Sequence, residues 1–328
     1  MRHPAYHLRA NKAVDRLLLV DVLRSLEADE RFTYYSLAGP FLEDMRVMDH
    51  FFRDMKLVSL EENPDTHRRQ IFHQFSSRIT LHKILLGDFL ATDYQPGTQD
   101  VFWLDYTELK YSLLEEFQTV LKAVPNGSVV RITLPARPEF DLGLLKGRVT
   151  QADQDRIREQ MEKDFEAKFE KVLTHPVAGA FAAPEKFARM VQLMIQRAAS
   201  TALEFPGSER QFLVVQSTRY NDGTQMVSVT GIVCGEVEVE RTKEILANVR
   251  FANFDWAPPV EINVPALSAK ERLELERFLP VAAGVKSGED LQPRLGYRID
   301  NTDAESKRQL SQYADFHREF PQFVRVAI

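Results

Sequence analysis

Apolar residues at Val14, Leu17, Leu18, Val20, Leu23 and Leu26 follow a helical spacing, with Arg9, Asn11, Lys12, Asp15 and Arg16 gathered at the polar start. An amphipathic lead-in helix is predicted over residues 10–26. Residues 33–37 carry aromatic and β-branched side chains and run into Ala38-Gly39-Pro40, after which residues 41–52 resume a helical period. This is a strand, turn, helix unit. A second unit follows. Residues 57–60 form an apolar run broken only by Ser59, Glu61 stands where that strand would end, and Pro64-Asp65 opens a helix. Residues 79–81 alternate as a third strand. The strongest strand signal covers residues 101–106, with Asp105 at its exit; a helix over 108–123, the turn Pro125-Asn126-Gly127 and a strand over 128–134 come next. Strands alternating with helices predict an α/β fold, with a parallel sheet and right-handed crossovers.

The pattern changes at residue 141. Residues 141–200 are charged and helical, with a helix start at residues 150–153, and read as an insertion or cap. Two β-rich runs then flank Asn221-Asp222-Gly223, a hairpin signal because asparagine and glycine tolerate positive φ. The sheet is therefore expected to end in an antiparallel pair. Beyond Gly235 come a helix over 240–249, a proline-containing segment over 256–265, and the capping box Ser268 to Glu271. The expected organisation is a lead-in over 1–30, a Rossmann-like core over 31–140 and 201–250, an insertion over 141–200, and a C-terminal appendage over 251–328.

Composition narrows the class. With 328 residues, 44% of them hydrophobic, the chain has the means to bury a full core. A net charge of -6 opposes bulk attraction to nucleic acid or anionic membrane, so such binding has to come from a local face. The single cysteine, Cys234, excludes an intramolecular disulfide and a cysteine zinc cage, and fits a reduced, cytoplasmic setting. No stretch approaches the roughly 20 apolar residues of a membrane span, and the charged start lacks a signal-peptide pattern. A soluble protein is expected. His3 and His7 are four apart but have no carboxylate third ligand in view, so no metal site is predicted. His-Glu-x-x-His, Walker and Gly-x-Ser-x-Gly motifs are absent from the sequence.

The order of elements resembles the class I S-adenosylmethionine-dependent methyltransferases, whose parallel sheet finishes with a reversed strand; the resemblance covers roughly residues 31–235. More narrowly, LRANK, SLAGPFLEDMRVM, LVSLEEN and FWLDYT are similar to segments of bacterial proteins carried under the name O-methyltransferase. The resemblance implies that Ala38, Gly39, Pro40 and Asp44 border the cofactor S-adenosylmethionine. It implies that Glu61, with Glu62 in reserve, accepts hydrogen bonds from the ribose hydroxyls. It also implies that Asp105 and Tyr106 face the reacting groups, Asp105 lying beside cofactor and acceptor alike. The turn departs from the family's glycine-rich pattern, since only Gly39 is present and Pro40 removes a donor. Tyr106 and Thr107 stand where amino-group DNA methyltransferases have two prolines, and Cys234 lies far from the fourth strand, which lowers base methylation in rank.

Two functions follow from this reading. The first is methyl transfer to an oxygen or nitrogen nucleophile of an unknown acceptor. The second is a non-catalytic scaffold of the same fold that binds a protein or nucleic acid, as one component of a bacterial defence system. For the second, His67, Arg68, Arg69, His73, Arg78, His82 and Lys83 with Phe72 and Phe75 interleaved offer a basic edge, against the simpler reading of a solvated helix face. Arg9, Lys12 and Arg16 share a helix face, read as solvated surface or as closing a pocket. Phe165, Phe169 and Val172 could pack on a partner or a second copy. No membrane partner is expected.

Overall fold

Five strands run in one direction in the computed structural model, which describes residues 9–29, 31–138, 149–280 and 287–321. They are β1 (Phe32–Ser36), β2 (Lys56–Leu60), β3 (Ile79–His82), β4 (Gln99–Asp105) and β5 (Val129–Pro135). Helices α2 (Glu43–Phe51), α3 (Pro64–His73), α4 (Leu86–Thr92) and α5 (Tyr111–Ala123) alternate with them, and α1 (Ala10–Ser25) precedes them. Each strand lies close to its predicted bounds. The stretch after residue 83 forms α4, where Leu86 and Phe89 are buried three residues apart on one helical face.

His3 and His7 and residues 139–148 lie outside the described residues. After them come α6 (Gln151–Phe169), α7 (Pro184–Leu203), β6 (Arg210–Asn221), β7 (Gln225–Gly235), α8 (Val239–Leu246) and β8 (Val260–Ile262). Three short helices follow: α9 (Ala269–Glu276), α10 (Ser287–Leu295) and α11 (Asp303–Phe316). The chain divides into two compact units, one of residues 19–219 and 224–260, the other of 1–18, 220–223 and 261–328.

In the larger unit the strand order is β3-β2-β1-β4-β5-β7-β6, and β7 runs antiparallel to β5. One sheet face carries Tyr35, Phe102, Leu104, Val130, Ile132, Val227 and Val229 into the core. Leu114, Phe117, Val120 and Leu121 of α5 meet that face as a helical stripe. So does α7, through Phe187, Val191, Ile195, Ala198 and Ala202. Gln118 of α5 donates to the Ala198 carbonyl at 3.1 Å. Thus α7 is a core helix that carries the chain from β5 to β6, whereas the sequence placed most of it in an insertion. By contrast, α6 is charged and buries only Phe169.

The opposite face of β4, β5 and β7 carries a buried polar row. Trp103, Arg131 and Thr230 are aligned across the three strands, as are Thr133 and Ser228. Trp103 Nε1 donates to Thr133 Oγ1 at 3.0 Å, Thr133 and Ser228 hydroxyls are 2.9 Å apart, and Arg131 donates to Thr230 Oγ1 at 2.7 Å. The guanidinium also sits 5.1 Å from the Trp103 ring centroid. These bonds lower the cost of burying the polar groups of the row.

In the smaller unit, three distant segments are joined by one turn. The Asp222 carboxylate accepts from the Lys12 backbone N–H at 2.8 Å and from Asn11 Nδ2 at 3.1 Å. Asn11 Oδ1 in turn accepts from the Val264 N–H at 2.9 Å. The hairpin turn therefore caps the start of α1 and holds the chain near β8. These bonds explain why the appendage begins at residue 261 and takes in the start of α1, a boundary that local patterning does not show. Lys12 and Arg16 are buried, not solvated. No helix among the described residues is long and apolar enough to cross a membrane.

Gly231 on β7 fixes how closely β6 approaches. A Cβ there would lie 2.7 Å from the Leu213 carbonyl oxygen and closer still to the Phe212 ring. Gly231→Ala is expected to cost about 1–3 kcal/mol through overpacking. Thermal unfolding of the two proteins checks this; an unchanged midpoint would remove the close approach as a constraint.

Candidate functional site

Parallel pairing brings three strand exits to one level. Ser36 at the end of β1 is aligned with Ser59 of β2 on one side and Trp103 of β4 on the other. Two residues further along each chain stand Ala38, Glu61 and Asp105. The chain leaves β1 through α2 towards β2, while β4 occupies the other flank, so the winding reverses beside β1. Such reversals open a crevice at the carboxyl ends of the strands.

The turn from Leu37 to Leu42 closes that crevice from above β1, and its conformation is fixed by four contacts. The Leu37 N–H donates to the Trp103 carbonyl at 3.4 Å, and the Leu42 N–H to the Gly39 carbonyl at 3.1 Å. Gln70 of α3, wholly buried, donates its Nε2 to the Ala38 carbonyl, with the Gly39 carbonyl at 3.5 Å, while its Oε1 accepts from Ser59 Oγ at 3.2 Å. Leu42 itself is buried at φ 53° and ψ 39°. A leucine in this left-handed region costs about 1–2 kcal/mol, so the surroundings impose it.

Each predicted residue can now be placed. Ala38 is buried, and Gly39 and Pro40 are half-buried in this turn. Asp44 is buried in the first turn of α2, where its Oδ2 accepts from Tyr34 at 2.9 Å and from the Ser36 hydroxyl. That carboxylate ties α2 to β1 from below the turn. Glu61 is half-buried: its N–H donates to the His82 carbonyl at 3.0 Å and its Oε1 accepts the Asn63 N–H at 2.8 Å. Burial pushes its carboxyl above the usual range, and the Asn63 N–H partly opposes this. Glu62 is exposed beside it, and Asp105 is half-buried at the β4 exit.

Tyr106 differs from expectation. It is only 7% exposed and its hydroxyl donates to Glu116 Oε2 of α5 at 2.7 Å. Burial and the adjacent carboxylate push the phenol far up, so it stays protonated. Alternation explains the outcome: Asp105 and Tyr106 are successive residues at a strand end and point to opposite faces. Tyr106 faces the α5 side and does not turn towards the crevice.

Residues of the basic edge make separate contacts. Arg68 lies 3.5 Å from Asp65, Arg69 stacks 4.8 Å over Phe41, and Arg78 pairs with Asp49. Phe72, however, is 84% exposed. Among the described residues no group of three or more His, Cys, Asp and Glu is placed to hold a metal.

Sequence reasoning missed Gln70 and a second feature. Gln70 is the one buried residue of α3, whose others are exposed or half-buried, and a polar residue among polar residues leaves no trace in a hydrophobic pattern. The second is a cavity of about 280 Å³ beside the exits of β4 and β5, between residues 107–110, Pro135, Arg137 and the phenylalanines of α6 and α7. Its walls come from segments far apart in the chain.

A doubly wound sheet in this order, closed by a reversed β7, with its crevice between β1 and β4, is the Rossmann-like methyltransferase fold. The chain belongs to the family described as "Putative O-methyltransferase", whose sequence profile matches residues 4–328. A "putative O-methyltransferase" from Klebsiella pneumoniae is similar at 12% identity and a TM-score of 0.40, over 71% of this chain and 84% of that one. The N-methyltransferase NodS from Bradyrhizobium japonicum, in complex with S-adenosylhomocysteine, is similar at 9% identity and 0.35, over 66% and 83%. A "putative transferase" from Pyrococcus horikoshii is similar at 12% and 0.35; the match covers 66% of this chain and spans 63% of that chain's length. At these scores the likeness says nothing of how this chain's site works. No curated protein matches the sequence.

Gln70 gives the test of the turn. Removing its amide leaves the Ala38 carbonyl and Ser59 hydroxyl buried without that partner, so Gln70→Ala is expected to cost about 1–3 kcal/mol. Gln70→Glu should cost more at neutral pH, because a carboxylate would face a carbonyl. Urea unfolding reads both, and two variants as stable as the parent would show the clamp idle.

Proposed function

We propose that the chain is an S-adenosylmethionine-dependent methyltransferase acting on an oxygen or nitrogen nucleophile. The observation that carries this reading is the alignment of Ser36 with Ser59 and Trp103 on three adjacent strands at the reversal of the winding, with Ala38, Glu61 and Asp105 each two residues further along the chain. When bound, the cofactor supplies a sulfonium methyl group to a nucleophile that gives up its own proton.

The residues present fit such a ligand. Gly39 is not held in the left-handed region, and a Cβ built on it meets nothing within 4 Å. Among the described residues nothing requires glycine there, and the open space suits a ligand that approaches the backbone. Glu61, half-buried and fixed through Asn63, presents an acceptor to ribose hydroxyls. Asp105 stands on the other flank, where a carboxylate orients the nucleophile or accepts its proton. Asp44 acts through α2 and β1 by holding the turn, and Tyr106 takes no part at the reacting centre. Rate enhancement on such a scaffold rests on alignment and exclusion of water.

The rival is a non-catalytic scaffold that docks a partner on α3, and the exposed Phe72 is what favours it. Calorimetric titration with S-adenosylmethionine and S-adenosylhomocysteine separates the two. Micromolar binding, lost in Glu61→Ala, is the expected result. Absence of binding at millimolar ligand would leave the scaffold reading.

The raised carboxyl of Glu61 gives a second measurement. Ribose hydroxyls donate to the ionised form, so affinity is full above the raised pKa and falls as pH drops through it. The loss should therefore begin at a higher pH than about 4.3, the value of an unperturbed glutamate. Glu61→Gln should bind more weakly and with a flat pH profile; an unchanged profile would remove Glu61 from the site.

A further inference from the structure

We propose that the groove along the flank of α7 turned from the sheet is a second ligand site, separate from the crevice at the strand exits, and that it takes a small aliphatic carboxylate. Lys186, Arg189 and Leu193 stand three and four residues apart on that flank, away from the stripe of Phe187, Val191 and Ile195 that packs on the sheet. The other wall comes from the connection over residues 173–180, and Pro258 completes the lining. All of these residues belong to the continuous described stretch 149–280, and none of them lines the cavity beside β4.

The groove is held in shape from both sides. Glu166 Oε1 of α6 accepts from the Val177 N–H at 3.0 Å, and Glu162 Oε1, one turn away, accepts from the Gly179 N–H at 3.1 Å. Thus α6 pins the connection at two points. Across from it Met190 and Met194 are buried one turn apart in α7. The volume of about 460 Å³ falls within the roughly 300–1,000 Å³ of small-molecule pockets.

The walls decide the body of the ligand. Leucine, methionine, proline and alanine side chains dominate them. Among the described lining residues the imidazole of His175 is the one aromatic ring, and it is exposed with its Nδ1 2.8 Å from Thr174 Oγ1. Such walls offer little for a flat ring to stack on, whereas methionine adapts its shape to a flexible chain.

Arg189 decides the head group. Its Nη1 donates to Gln192 Oε1 and to the Trp256 carbonyl. Gln192 is wholly buried and donates its Nε2 to Ser217 Oγ and to the Ala257 carbonyl, each at 2.8 Å. One edge of the guanidinium is therefore fixed by a buried network. The other edge, Nε with Nη2, has no acceptor among the described residues, and Arg189 has no ion pair among them. That edge carries two parallel N–H donors, the fork that a carboxylate fits. Burial lowers the pKa of the guanidinium, and a bound anion would raise it again. Glu185 and Lys186 are exposed at the rim with opposite signs, so solvent screens both and neither sets the charge within.

The test is calorimetric titration of the full chain with butanoate, hexanoate and octanoate, and with hexanamide. Hexanoate should bind about tenfold or more tightly than hexanamide, and each added pair of methylenes should tighten binding about tenfold. Arg189→Gln should erase the preference for the acid and still bind hexanamide as the parent does, which also reports that it is folded. Ala178→Glu, at an exposed position of the rim, leaves the Arg189 network untouched and should weaken hexanoate more than hexanamide. Equal affinity for acid and amide in the parent, no gain with chain length, or no binding of octanoate at millimolar concentration overturns the proposal. If Arg189→Gln fails to fold, Ala178→Glu decides, and equal losses for acid and amide overturn it. S-adenosylhomocysteine should bind the parent and Ala178→Glu alike; failure to bind either bears on the crevice alone, and the acid series still reads the groove.

Discussion

The alignment of β1 with both β2 and β4 is the constraint on which the rest depends. Register in a parallel sheet is set by which residues face the buried side, and a slip of one residue would turn Glu61 or Asp105 to the other face. Here Ser36, Ser59 and Trp103 share one row, and Glu61 and Asp105 each follow two residues beyond it along the chain. Because β2 and β4 flank β1, the turn after β1 leaves the sheet between the strands that lead to those two acids. Its conformation is held by Gln70, by the Trp103 carbonyl and by a leucine in a left-handed backbone state. Sheet register thus fixes the site's width, and the clamp fixes its roof.

The fold was legible because each unit declares itself locally. Apolar runs over residues 57–60 and 101–106 are strands that must be buried on both faces, and the helices between them keep a clean period. The Asn221-Asp222-Gly223 signal fixed the antiparallel hairpin that reverses β7. Positions at strand ends are also readable, which is why Glu61 and Asp105 can be singled out from the sequence. What was not legible depends on alternation and distance. Whether Tyr106 faces the crevice or α5 turns on one residue of register at the end of β4, and only its bond to Glu116 decides it. Gln70 and Leu42 gain their meaning from segments that meet only in the folded chain.

The helical region shows the same limit from another side. A charged stretch and an amphipathic one follow each other between β5 and β6, and composition merges them into one insertion. Burial separates them. The α7 stripe from Phe187 to Ala202 is a full core face, whereas α6 buries little beyond Phe169. The consequence is functional as well as structural. A core helix cannot move without breaking the sheet packing, so α7 supplies Phe187 to the cavity as a fixed wall, and α6 supplies Phe165, Lys168 and Phe169.

Charge along the rim favours one kind of ligand. Glu61, Glu62 and Asp105 bring negative charge to the exits of β2 and β4, and a cationic group is favoured beside them. A sulfonium donor would be attracted to that edge. Such attraction orients the donor before any contact with the reacting atoms is made, which is a large part of what a transfer without an elaborate acid–base apparatus requires. It also accounts for a glycine-poor turn. With the register holding the acids and the field holding the donor, one open position at Gly39 leaves the backbone approachable, and Pro40 can stiffen the rest of the turn.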